Sequence, residues 1–251
     1  DAVDAINKWA SDNTEGLINK VVTEFDPDTI AAIANAIYFS DRWSWEFDLK
    51  KTAEDVFHAP AGNTKAFYML REGNELRYYE DDQVQAMPLG FISGGGMYII
   101  LPKNGDAAGL LSSMTNEYFE QIQYNSPPST GKLLLPRFSI EGDTMDLKDA
   151  LIALGVPLFD TSGGGTITGL IKEDMDLYVS SAVQKALIRV DEKGTTAAAV
   201  TVLGMTATSA GPSEPTKPFE MICDKPFVFV LYDHTNDGGD QVLFTGMVNT
   251  I

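Results

Sequence analysis

Cysteine is nearly missing from this 251-residue chain: Cys223 stands alone, so no disulfide can form within it, and the redox compartment is left open. Basic residues are scarce too, 18 Lys and Arg against 36 Asp and Glu, for a net charge of −18. A surface of that sign repels nucleic acid and anionic membranes, and its plainest consequence is solubility. No apolar run approaches the roughly 18 residues a membrane-spanning helix needs. Histidine is limited to His58 and His234, and neither lies in a G-x-S-x-G elbow, an H-E-x-x-H pair or a phosphate-binding loop. Cys223 sits among strand formers with no histidine nearby in sequence, as a buried structural thiol does. The chain therefore reads as a non-enzyme, with no cofactor and no metal.

What is present is ordinary core material, 44% hydrophobic and 10% aromatic, with no internal repeat and no linker. Residues 1–19 read as an amphipathic helix and its exit, with Ala2, Val3, Ile6, Trp9 and Ala10 on one face and a stop at residues 13–16. Residues 29–39 (TIAAIANAIYF) are too apolar for a surface strand. A β-rich region follows over 52–100, with turns at Ala61-Gly62-Asn63 and Gly94-Gly95-Gly96 and a strand over 97–101 stopped by Pro102. Helical periodicity returns over 105–124, a short helix over 146–154 closes on Gly155, and Ser162-Gly163-Gly164-Gly165 is a loop. Strand alternation fills 177–191. The expectation is a single α+β domain over residues 1–251.

The most telling segment is Glu192-Lys193-Gly194-Thr195-Thr196-Ala197-Ala198-Ala199-Val200-Thr201. It reads as a strand, yet carries no large apolar side chain between Gly194 and Val200. Small uncharged residues closing on β-branched ones suit a strand that slips between two others without clashing above or below the sheet. Behind it, residues 202–218 hold Gly204, Gly211, Pro212, Pro215 and Pro218, which resist pairing as a central strand, and the strand-forming run 225–231 follows.

The segment VDEKGTTAAAVT, followed by a variable loop and then DKPFVFVLYD and VLFTGMVNT, resembles the hinge, reactive loop and carboxy-terminal strands of serpins. The blocks AINKWASDNTEGLI, NAIYFSDRWSWEF, MYIILP, LLLPRFSI and DLKDALIALGV fall in serpin order, so the resemblance covers essentially the whole chain. It implies the serpin fold of bacterial type: a large mixed sheet A, smaller sheets B and C and packed helices, truncated at the amino terminus so that the first helices and strands, and any signal peptide, are lacking. It also implies that 29–39 is a central strand buried on both faces and that the reactive loop spans about 192–218.

The implied function is inhibition of a serine protease by suicide. The target attacks the exposed loop, the hinge inserts into sheet A, and the acyl-enzyme is trapped; loop insertion by serpins is a stock example of stored strain released by a cut. Hinge residues facing the core are, in that register, Thr195, Ala197, Ala199, Thr201 and Leu203, none charged, with Gly194 as pivot and Thr196 outward where glutamate is more usual. Glu192 and Arg137 match a charge pair at the top of the sheet, the breach, beside Trp43. Asn35 matches a buried mid-sheet asparagine, the shutter, whose usual histidine partner is replaced by Gln184. Family spacing puts the scissile bond between Thr208 and Ser209, while the long loop leaves Met205, Ala207 and other sites over 203–213 open. No Lys or Arg lies between Gly194 and Thr216, so trypsin-like and thrombin-like targets lack their anchor charge; Met205, Ala207 and Thr208 suit elastase-like or subtilisin-like pockets, and Leu203 or Met205 would suit a chymotrypsin-like one. No basic cluster supports heparin binding, and an extracellular or cell-surface location is expected. The open alternatives are a non-inhibitory serpin acting as carrier, chaperone or storage protein, and an inactive fragment.

Overall fold

The computed structural model describes residues 1–27, 29, 31–159, 178–195, 218–235 and 239–251. In chain order its elements are α1 (Ala2–Asn13), β1 (Ala32–Tyr38), β2 (Ala53–Ala59), β3 (Gly62–Arg77), β4 (Tyr79–Glu80), β5 (Val84–Gly90), β6 (Gly96–Pro102), α2 (Ala107–Ser113), α3 (Asn116–Tyr124), β7 (Pro128–Pro136), β8 (Phe138–Glu141), β9 (Met145–Asp146), α4 (Lys148–Ala153), β10 (Ser181–Val190), β11 (Phe219–Ile222), β12 (Phe227–His234) and β13 (Asp240–Val248). The fold is α+β, with three sheets among the described residues. Their strand orders are β1-β10-β8 with β9 also on β10, β11-β7-β3-β2, and β13-β12-β6-β5-β4. Two compact units emerge, Asp1–Phe39 with Ile140–Ile188, and Ser40–Ser139 with Arg189–Ile251.

In the first unit, α1 begins with a capping box in which the Asp1 carboxylate accepts from the Asp4 amide and the Asp4 carboxylate accepts from the Asp1 nitrogen. Its Val3, Ile6 and Ala10 pack with Ile18, Val21 and Leu187 and with Ala34, Ala36 and Tyr38 of β1. Trp9, expected on that face, is nearly half exposed, because the helical stripe is centred on Ala10 and leaves residue 9 at its edge. β1 pairs β10 in parallel, from Ala32 with Ser181 to Tyr38 with Leu187. The expectation that β1 is buried on both faces fails. Its even residues turn onto α1, while Ile33 and Asn35 lie exposed on a face that no described element covers.

The second unit holds the main core. The run Met97–Leu101, bounded by the expected glycine turn and Pro102, forms the fully buried β6 between β12 and β5. Gly95 sits at φ +63° in that turn, where a Cβ would strike the Tyr232 backbone. The single helix expected over 105–124 is two. Thr115 leaves the helical region and caps α3 by accepting from the Tyr118 amide, so α2 stops short of it. Both helices lay apolar faces on the same sheet through Leu110, Phe119 and Ile122.

Candidate functional site: the root of the hinge

After β10 the chain reverses at residues 191–194. The Asp191 carboxylate accepts from the Lys193 amide at 2.8 Å, and the Asp191 amide donates to the Gly194 carbonyl at 3.0 Å. Gly194 then forms an antiparallel bridge with Arg42. Its φ is +152°, and a Cβ there would collide with the Asp41 carbonyl and come within 2.7 Å of the Arg42 Cα, so the position admits glycine alone. Thr195 is fully buried: its amide donates to the Asp41 carbonyl at 2.8 Å, and its hydroxyl accepts from the Asp41 amide at 2.9 Å.

Glu192, 6% exposed, receives three charge-assisted hydrogen bonds from Arg137, Nε to both carboxylate oxygens at 3.0 Å and Nη2 to Oε1 at 2.6 Å. The Thr52 hydroxyl adds a fourth at 2.6 Å. Burial works to raise the Glu192 carboxyl, but the bonds from Arg137 and Thr52 outweigh it and hold the group below the ordinary carboxylate range. Trp43, buried, stacks on Phe91 at 4.9 Å between ring centres and donates from Nε1 to the Asp191 carbonyl at 2.9 Å. The backbone of the same stretch finishes the cradle, with the Trp43 amide donating to the Lys193 carbonyl and the Phe47 amide to the Glu192 carbonyl. Glu192, Gly194, Thr195, Trp43 and Arg137 therefore share one site.

The pair placed at mid-sheet differs. Asn35 and Gln184 are register partners across β1 and β10, but among the described residues no hydrogen bond joins their side chains, and Asn35 is exposed rather than buried. Thr196, Ala197, Ala198, Ala199, Val200, Thr201, Met205, Ala207, Thr208 and Ser209 lie outside the described residues. Three cradle members escaped sequence reasoning: Thr52, Asp41 and Phe47. Asp41 and Phe47 lie in or beside the block that contains Trp43, whereas nothing in the sequence around Thr52 signals contact with a residue 140 positions away.

Nothing in the described residues assembles a hydrolytic centre. His58 meets Asn63 and His234 meets Asp240, each within its own exposed hairpin. Burial pushes the Cys223 thiol up, away from the nucleophilic thiolate. No three His, Cys, Asp or Glu side chains gather in a metal-binding group among the described residues, and none of their helices is long and apolar enough to cross a membrane.

Comparison with known proteins adds three kinds of likeness. The family model described as Serpin (serine protease inhibitor) matches residues 1–251. Alpha-1-antiproteinase F of Cavia porcellus is 31% identical over 246 residues, 97% of this chain and 58% of that protein, and an uncharacterized serpin-like protein of Thermococcus kodakarensis is 33% identical over 251 residues, 98% of this chain and 56% of that protein. The chain thus spans a little over half the length of these curated relatives. The native-state crystal structure of the thermophilic serpin tengpin superposes with a TM-score of 0.80 at 27% identity, over 100% of this chain and 63% of tengpin.

Proposed function

The chain belongs to the serpin family, and on that premise we propose that it is the hinge-bearing part of an inhibitory serpin that traps serine proteases by inserting its cut loop as a strand between β1 and β10. The target supplies the chemistry: its serine attacks a loop carbonyl, the peptide bond breaks, and the amino-terminal side of the loop stays esterified to the enzyme. The inhibitor supplies a strand.

The observation that carries this reading is the pairing at the two ends of the proposed movement. β1 and β10 run parallel, side by side. Gly194 and Thr195 run antiparallel to residues 41–42 at the end of the stretch that leaves β1. Continued in that register, the hinge would meet β1 with Ala198 opposite Tyr38 and Val200 opposite Ala36. One parallel ladder would become two antiparallel ones, which are slightly stronger per residue. Ala197, Ala199, Thr201 and Leu203 would then share the face of Ile33, Asn35 and Ile37, opposite α1, and none of the four carries a charge or a large ring.

Absence of Lys and Arg between Gly194 and Thr216 supports elastase-like or subtilisin-like targets, with Thr208, Met205 or Ala207 before the cut. Secretion, and a single serpin domain spanning residues 1–251, complete the reading. Its test is to incubate the full-length protein with elastase, and separately with subtilisin, and to run a denaturing gel. A band at the summed mass that survives SDS is expected. Clipped inhibitor alone, at every ratio and with both enzymes, would sink the reading in favour of a non-inhibitory member or an inactive chain.

A further inference from the structure

Arg71, on β3, is a cation with no anionic partner among the described residues. It is 8% exposed, no carboxylate pairs with it among the described residues, and burial pushes its guanidinium down to about 10. Other arginines and lysines of the second unit do find partners: Arg42 with Glu46, Lys51 with Glu72, Lys65 with Glu54, Lys132 with Glu220 and Arg137 with Glu192. Arg71 instead lies under an aromatic pair. Its Cζ is 4.2 Å from the centre of the Phe47 ring and 5.7 Å from that of Trp45, and its Nη2 donates to the Trp45 carbonyl. The fork and the two rings tie residues 45 and 47 to the rigid β3–β7 ladder, where Arg71 is the partner of Leu133.

Residues 43–47 carry the two amides that hold the hinge root, Trp43 to the Lys193 carbonyl at 2.9 Å and Phe47 to the Glu192 carbonyl at 2.8 Å. Trp43 and Phe47 also meet edge to face at 6.4 Å. We propose that Arg71 is a positioning residue for loop insertion: it fixes residues 43–47 so that the hinge starts in register with residues 41–42. This rests on the inhibitory reading above, but its first test does not.

A buried unpaired charge costs the fold, and an apolar replacement of similar length is often neutral or stabilising. A residue kept only for stability would be better as methionine. Arg71→Met should therefore leave the thermal midpoint of the full-length protein unchanged or higher. Amide hydrogen exchange at residues 43 and 47 should speed at least tenfold, while β3 and β7 amides keep their protection. Arg71→Lys, which keeps charge but loses the planar stack, should speed exchange at the same two amides. Where the parent protein traps protease, both variants should raise the number of inhibitor molecules consumed per enzyme trapped at least threefold. Unchanged exchange at both amides would overturn the proposal, and so would a midpoint that falls together with protection across the whole second unit. Absence of any trapped complex in the parent counts against the inhibitory reading, and the exchange result then decides the role of Arg71 by itself.

Discussion

Glu192 owes its state to four hydrogen bonds from three donor atoms, and its contribution can be separated from that of its neighbours. Arg137→Ala removes three of the four hydrogen bonds and leaves a buried carboxylate with Thr52 alone. Losing one partner of a buried pair costs about 3–5 kcal/mol at the upper end; the Arg137 side chain is 39% exposed, so solvent takes up part of that loss and about 2 kcal/mol is expected. In a chain of this size, that lowers the thermal midpoint by about 4–8 °C. The carboxyl is held below its ordinary range in the folded protein, so the stabilisation is complete above the unfolded value and disappears as pH falls through the folded one. The deficit of Arg137→Ala against the parent should accordingly be full at pH 7 and clearly smaller at pH 3, below the unfolded carboxyl range. Calorimetry of both proteins at the two pH values checks it, and an equal deficit at pH 3 would assign the loss to packing of Arg137 on Phe67, 5.4 Å away, rather than to charge.

Elements made of local signals are legible in the sequence. β6 is an apolar run between a glycine turn and a proline, and the reversal after β10 is marked by Asp191 and Gly194. What failed depended on neighbours distant in sequence or on a cap that periodicity does not see. Thr115 divides a helix whose apolar pattern runs through it. Asn35 is exposed because burial of an odd-numbered β1 residue requires something over that face, and the strand's own sequence does not say what. The cradle is only partly visible: Glu192, Arg137 and Trp43 by resemblance, Thr52 by no signal, since its contact with Glu192 joins positions far apart along the chain.

The hinge itself makes a prediction at the same scale. Ala199→Glu changes no cradle residue, and the proposed mechanism, which needs the Ile33 and Asn35 face covered in the full-length protein, has insertion bury the new carboxylate there at a cost of a few kcal/mol. The uncut variant should melt within about 2 °C of the parent. After loop cleavage, the parent should gain thermal stability and the variant should not, and the variant should be turned over as substrate. Equal gain in both would remove the inserted strand from the explanation.

Across the whole molecule, two electrostatic effects oppose each other as pH falls. The net charge of −18 at pH 7 repels itself and disfavours the compact state, and it shrinks toward the isoelectric point near 4.3. Against that stand the carboxylates the fold holds ionised. Burial works to raise Asp81, but the amides of Val84 and Gln83 and the hydroxyls of Tyr79 and Tyr118 lower it further. Lys103 and Tyr78 lower Glu80, and Glu192 is lowered in its cradle. Each has a depressed folded pKa, so each stabilises fully above its unfolded value and loses that contribution as pH drops below about 4.3. The thermal midpoint should therefore hold or rise slightly from pH 7 to about 5 and then fall steeply. Salt separates the two effects. About 0.5 M sodium chloride cuts the screening length to a few ångströms; it should lift the midpoint at pH 7, flatten the shallow limb, and leave much of the acid limb in place, because the partly buried donors around Asp81 and Glu192 are poorly screened. A midpoint that declines steadily from pH 7 downward, or an acid limb abolished by salt, would mean that surface charge governs the stability of this chain and that the buried carboxylates do not.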